Sequence, residues 1–391
     1  MKVQKFEVNF SNREGVFITG ANVEGHVFIN LKQSVTLNNG LRLYIGGKGH
    51  CRKFPGQRRN KRVQYFADVH YLSVNLELIP QGKHLNQGDH HIFFSANLPS
   101  SIPSSFEGSH GYIRYYCEAM LSTQGESDQR EAKNFTLIHH IDLDKVPAAR
   151  VPIKAEDNEY IQGLCCGNVG EYTVKLDVDK TGYVPGEEMY YRIRLMNASS
   201  LSTRSVSLIL RQITTYKGYE DGKKSGQEST DVQIQIFTLF ENQVIVQPGE
   251  NKQINNSATM PCLPPTKLVD CDIIDIKYNL VLTVPIPTAG KVEIIRVIII
   301  GTMPVRPVIQ PSDHHPTSTS PQHFDEEPPT YEECVYGGPS GHSKGHASVE
   351  WRPRFPYYRS LSKEGAMVQL RAPPAREYLP PPVFPPGDNW V

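Results

Sequence analysis

Three kinds of residue in this 391-residue chain could do chemistry: paired histidines, thiols and a glycine-lysine run. The pairs at 90–91, 139–140 and 314–315 have no cysteine or further histidine at ligand spacing, so they read as surface histidines rather than metal ligands. Cys262 and Cys271 stand nine apart with "LPPTKLVD" between them. A zinc site would need two further ligands that the sequence does not offer, so both read as buried thiols. "GGKG" at 46–49 reads as a turn within a β region, because it lacks the helix start and the Gly-Lys-Ser/Thr order of a phosphate cradle. No nucleophile, base or metal set converges. The chain reads as a non-enzyme without metal or cofactor.

Binding motifs are richer. "FDEEPPTYEECV", Phe324 to Val335, sets Pro328, Pro329 and Tyr331 among five acidic residues. The prolines hold polyproline II geometry before any partner arrives, which lowers the ordering cost of about 1 to 2 kcal/mol per free residue. Tyr331 follows at the spacing that fills an adjacent pocket, and P-P-x-Y is the ligand of WW domains. A Pro-rich tail also produces this spacing by chance. "REYLPPPVFPP" offers a second, weaker contact at Pro381, Pro382 and Phe384, which keeps the ring and loses the hydroxyl. Without it, the effective-concentration gain on tandem WW domains, about 10² or more, is lost. Tyr358 and Leu361 in "YRSL" have the Y-x-x-Φ spacing that clathrin adaptors bind as an added strand, although four-residue patterns also arise by chance.

A cationic cluster lies in "CRKFPGQRRNKR": Arg52, Lys53, Arg58, Arg59, Lys61 and Arg62. It reads either as a loop that captures acidic lipid headgroups or a phosphorylated tail, or as a solvated connection between two strands. No aromatic stacking surface accompanies it, which argues against nucleic acid. The overall charge balances at 41 basic and 41 acidic residues, so an electrostatic function must be local.

The elements that position these groups show a period of two. Phe6, Val8 and Phe10 alternate with polar residues; so do Val23, Val27, Ile29 and Leu31, with Phe28 on the outer face. Val174 to Val178, Val206 to Leu210, Val232 to Ile236 and Ile276 to Val284 repeat the pattern. Turn signals such as "NNG", "QGD", "PGE" and "EDGKKSG" separate the runs, and no amphipathic helix appears. Many short strands without covering helices predict antiparallel β-sandwiches, and the length predicts two. "DKVPAARVPIKAEDNE", 144–159, reads as the break between them. "FITGANVEGHVFINL" and "GYVPGEEMYYRIRL" share a pattern of turn, acidic residue and alternating strand. From 304 to 391 the chain holds 17 of its 30 prolines. That region reads as a disordered arm. With seven cysteines, an odd number, and no apolar leader at the start, the chain reads as cytoplasmic with reduced thiols.

The order of "FEVNF", "GANVEGHVFI", "SSFEGSHGYIRYYCEAML", "GYVPGEEMYYRIRLMNAS", "CDIIDIKYNLVLTV" and "IIIGTMPVRP", followed by "PPTYEE", resembles the α-arrestins, the arrestin domain-containing proteins. The resemblance implies two immunoglobulin-like, arrestin-like sandwiches at 1–148 and 149–303, and a Pro-rich tail at 304–391. It implies an adaptor that brings a WW-domain HECT-type ubiquitin ligase to membrane receptors or transporters, with recruitment to the plasma membrane and endosomes. The alternative on the same fold is a retromer-type trafficking component whose tail motif is incidental.

Overall fold

The computed structural model describes residues 2–53, 57–58, 61–62, 64–162, 168–286, 290–306, 351–362 and 365–371. Among them, regular structure is strand apart from two 3-10 turns, Leu143–Lys145 and Pro147–Arg150. The first sandwich packs a sheet ordered Val3–Phe10, Asn22–Leu31, Gly88–Asn97 against a larger one. The larger sheet runs Val16–Ile18, Gln129–Ile138, Gly111–Thr123, Val35–Lys53, Tyr65–Ile79. Alternation sorts the faces: Val23, Val27, Ile29 and Leu31 are buried, while Phe28 points outward. Each such aliphatic side chain contributes about 1.5–3 kcal/mol by leaving water.

The second sandwich sets Ile153–Gln162, Asn168–Val178, Glu188–Asn197 and Asn251–Thr259 against Gly182–Tyr183, Gly290–Ile300, Ile274–Ile286 and Val206–Glu220. Its larger sheet continues into that of the first, because Tyr219 and Glu220 pair with Phe66 and Tyr65. The Asp221 amide donates to the Gln64 carbonyl at 2.9 Å, extending this seam by one bond.

The internal likeness noted in the sequence is structural. Each sandwich contains, after its opening strands, a short strand laid parallel to its own last strand, Val16–Ile18 on 136–138 and Gly182–Tyr183 on 299–300. A glycine turn and a long antiparallel strand follow in both.

Four expectations change. "GGKG" is not a turn but the middle of Val35–Lys53. A Cβ at Gly46 would lie 2.6 Å from Tyr44, one at Gly47 2.5 Å from Tyr115, and one at Gly49 2.7 Å from Tyr71, so these glycines make room for tyrosines. "NNG" also lies inside that strand, where pairing to Gly111–Thr123 jumps from Leu41 to Leu37; it bulges instead of reversing the chain. In the first part of Glu228–Asn242 the apolar residues face outward, with Val232 and Ile236 at 42% and 41% exposure, while Phe237, Leu239 and Phe240 further along pack on the core. Gln233 turns inward and accepts from Tyr216 at 3.0 Å. Finally, the arm from 304 onward contains a hairpin, Phe355–Ser362 with Gly365–Arg371, laid on the folded body.

Candidate functional site

That hairpin and its approach define the most built site among the described residues, at the waist between the sandwiches. Two strand ends cross there: the Thr302 and Met303 amides both donate to the Ile141 carbonyl, and the Ile141 amide donates to Thr302 Oγ1 at 2.8 Å. Asp144 holds the next step, accepting from the Arg306 amide at 2.9 Å and pairing with its guanidinium at 3.2 Å.

The strap from Arg354 to Tyr358 lies over this crossing. Arg354 donates its amide to Thr136 Oγ1 at 3.1 Å and pairs its guanidinium with Glu14, both in the first sandwich. Pro353, Phe355, Pro356 and Tyr358 are all buried, Phe355 to 1% and Tyr358 to 6%. Tyr358 completes a small apolar cluster with Leu143, Ala149 and Val184, apart from the main core. Its amide donates to the Pro185 carbonyl at 2.9 Å and its hydroxyl to the Thr302 carbonyl at 2.7 Å. Burial, with Glu187 nearby, pushes the phenol above its ordinary range, so it stays a neutral donor. Gly186 sits at φ +87°, and a Cβ there would lie 2.3 Å from the Tyr358 carbonyl oxygen. At the far end, Cys262 donates its thiol to the Arg371 carbonyl at 3.3 Å.

This placement corrects the reading of Tyr358 and Leu361 as an open adaptor motif. A strand-adding reader takes both side chains at once, yet Tyr358 is sealed in its socket while Leu361 is 38% exposed. The pattern is shut in this conformation.

Among the described residues the basic cluster comprises a strand end and a short ladder. Arg52 and Lys53 close Val35–Lys53 opposite Phe66 and Tyr65, and Arg58 stands opposite Lys61 and Gln57 opposite Arg62. Its strand end lies beside the seam where the larger sheets meet, since Lys53 pairs with Tyr65 and Tyr65 with Glu220. Arg59 lies outside the described residues, as do Pro328, Pro329, Tyr331, Pro381, Pro382 and Phe384.

The remaining chemical candidates have structural partners. His91 stacks on Phe28 and His26, at 5.0 and 4.9 Å between ring centres, whereas His90 turns the other way to the Asn86 carbonyl at 2.8 Å. His139 faces Thr19, and His140 faces Thr302 Oγ1 at 3.1 Å. Burial pushes the Cys51, Cys117 and Cys262 thiols up to about 12, far from a reactive thiolate. Tyr71 caps Cys271 at 3.3 Å. Among the described residues no group of three or more His, Cys, Asp or Glu could hold a metal ion, and no helix is long and apolar enough to cross a membrane.

Two sandwiches that each carry a short strand parallel to their last strand and share a continuous sheet define an arrestin-type body, and comparison with known proteins agrees. The arrestin (S-antigen) N-terminal domain model matches residues 6–144 and the C-terminal domain model matches 168–305. Arrestin domain-containing protein 17 of Caenorhabditis elegans is 28% identical over 323 residues, covering 78% of this chain and 72% of its own length. Human arrestin domain-containing protein 4 is 27% identical over 304 residues, covering 75% and 69%. Human thioredoxin-interacting protein is 22% identical over 308 residues, covering 77% and 75%. The chain belongs to the α-arrestin, or arrestin domain-containing, family.

Proposed function

We propose that this protein is a non-enzymatic trafficking adaptor, in which the two sandwiches engage a membrane receptor or transporter and Pro328, Pro329 and Tyr331 recruit a WW-domain HECT-type ubiquitin ligase. Ubiquitination of the cargo, endocytosis and endosomal sorting follow from that pairing. The observation that carries the reading is a P-P-x-Y motif in an acidic setting directly behind two arrestin domains. Its position supports delivery to a cargo held on the same body. Tyr331 comes 25 residues after Arg306 and 20 before Trp351, and both flanks are anchored at the waist. Twenty residues reach about 70 Å at most, so the recruited ligase stays within that distance of the strap. The cationic ladder at Arg52 to Arg62 is the surface we assign to anionic cargo tails or lipid headgroups, giving peripheral recruitment to the plasma membrane and endosomes from the cytoplasm.

The test is binding of the full-length protein to a panel of isolated WW domains, beside Tyr331→Ala and a Phe384→Ala control. Binding that vanishes with Tyr331→Ala and survives in the control is the expected result. Absence of binding by the unaltered protein would make the motif incidental and favour a retromer-type trafficking component.

A further inference from the structure

The waist groove has the composition of a peptide receptor. Glu14 and Thr136 contribute from the first sandwich, Leu143 and Ala149 from the connection, and Val184 to Gly186 with Thr302 from the second. Its occupant arrives from a distance: 44 residues, 307–350, separate the end of the second sandwich at Arg306 from Trp351. Ligand and groove are thus joined by a long connection and touch through a short extended segment, the arrangement of a tethered complex.

We propose that this groove is a binding site for an extended Phe-Pro-x-Tyr peptide, and that its resident ligand is the chain's own Phe355-Pro356-Tyr357-Tyr358. This proposal does not rest on the ligase-recruiting reading. Four features give the site its selectivity. The tyrosine socket has apolar walls and one inward-facing acceptor, the Thr302 carbonyl, which a phenol satisfies and a phenylalanine leaves unpaired. A phosphorylated tyrosine has no hydroxyl proton for that carbonyl and would bring its charge towards Glu187, so the socket excludes it. The Pro185 carbonyl reads the backbone of the tyrosine, and Gly186 lets that backbone approach to a distance that any side chain would block. Glu14 selects a cation just before the aromatic residue, as in Arg354-Phe355. A ligand held in cis lowers the apparent affinity of any competitor by the fraction of time the groove stands open, about 100-fold if it is open 1% of the time.

The experiment uses the full chain with the groove emptied by Tyr358→Ala, and a fluorescent peptide spanning residues 351–371 as the probe. The Tyr358 cluster stands apart from the main core, and a melting curve checks that the variant is folded. Phe355→Ala serves as a second emptied variant should the first fail to fold. The peptide should bind an emptied chain at least tenfold more tightly than the unaltered chain, whose groove is filled. The same peptide with phenylalanine at 358 should bind several-fold more weakly, and a peptide phosphorylated at Tyr358 should show no saturable binding. Equal binding of the peptide to folded emptied and unaltered chains, or none to either emptied variant, would overturn the proposal. Light scattering on the unaltered chain supplies the remaining outcome. A monomer supports residence in cis, whereas a dimer dissolved by excess peptide would place the resident strap in a second copy and overturn the cis assignment.

Discussion

Each sandwich turns on a glycine after its short parallel strand, and the two turns have different fates. In the first, Gly20 at φ +81° donates to the Leu98 carbonyl at 3.0 Å, and a Cβ there would meet nothing closer than 3.6 Å. In the second, Gly186 at φ +87° donates inward to the Met260 carbonyl at 2.7 Å, but its outer side is covered by the backbone of Tyr358. The backbone device is the same; what differs is that a distant segment covers the second turn, with the Tyr358 amide donating to the Pro185 carbonyl. A glycine that serves only a turn and one that serves a contact therefore look alike in sequence, and substitution separates them.

The largest separation is expected from Gly186→Val beside Gly20→Ala. Both strain a positive φ, at roughly 1–2 kcal/mol, but only Gly186→Val also pushes a side chain into the strap. Limited proteolysis should then cut within 351–371 of Gly186→Val at least tenfold faster than in the unaltered chain, with Gly20→Ala indistinguishable from it. Equal cleavage of the two variants would end the comparison. Tyr358→Phe sharpens it by removing one hydroxyl and keeping the ring. Leaving the Thr302 carbonyl unpaired should weaken docking by about 1–3 kcal/mol, read as faster exchange of the Tyr358 amide with no change in the exchange of core amides.

The smallest effect concerns pH. Burial, with His139 alongside, holds His140 below its ordinary value of 6.5, and Asp142 only partly offsets this. Below that pH the unfolded chain takes up a proton that the folded waist refuses, so stability present above 6.5 is lost as pH falls through this window. His140→Gln should flatten the fall in melting temperature as pH drops below 6.5. His26 on the open face of the first sandwich is also lowered, by burial, then His91 and Lys133, so some slope should persist. A slope unchanged in His140→Gln would remove the waist histidine from the account.

The strands were legible because alternation is local. Val23 to Leu31 and Ile276 to Val284 announce which residues share a face, and burial follows that pattern. Alternation does not say which face is inward, and Glu228–Asn242 shows the cost. Gln233 and Gln235 turn in on the same face as Phe237 and Leu239, which pack on the core, and Tyr216, with Ser109 from the other sandwich, offers Gln233 polar partners that no single strand displays. The glycines of "GGKG" misled for the same reason, since the tyrosines they accommodate lie on the same strand and on its neighbours. The hairpin did leave a trace: "FPYYRSLSKEGAMVQLR" contains two alternating runs around the polar Lys-Glu-Gly sequence. The proline content of the surrounding arm obscured it. No pattern in four residues could reveal that Tyr358 has a socket, because the socket is made of residues 143, 149, 184 and 302.

The strap joins Glu14 to Arg354 across 340 positions of sequence. On a ribosome moving at roughly 5–20 residues per second, the 52 residues from Arg306 to Tyr358 take about 3–10 seconds to add. Both sandwiches are synthesised before that interval begins. Every newly made molecule therefore passes through a period of seconds in which its body is complete and its waist is open, a window in which chaperones or waiting peptides meet a groove that mature molecules keep closed.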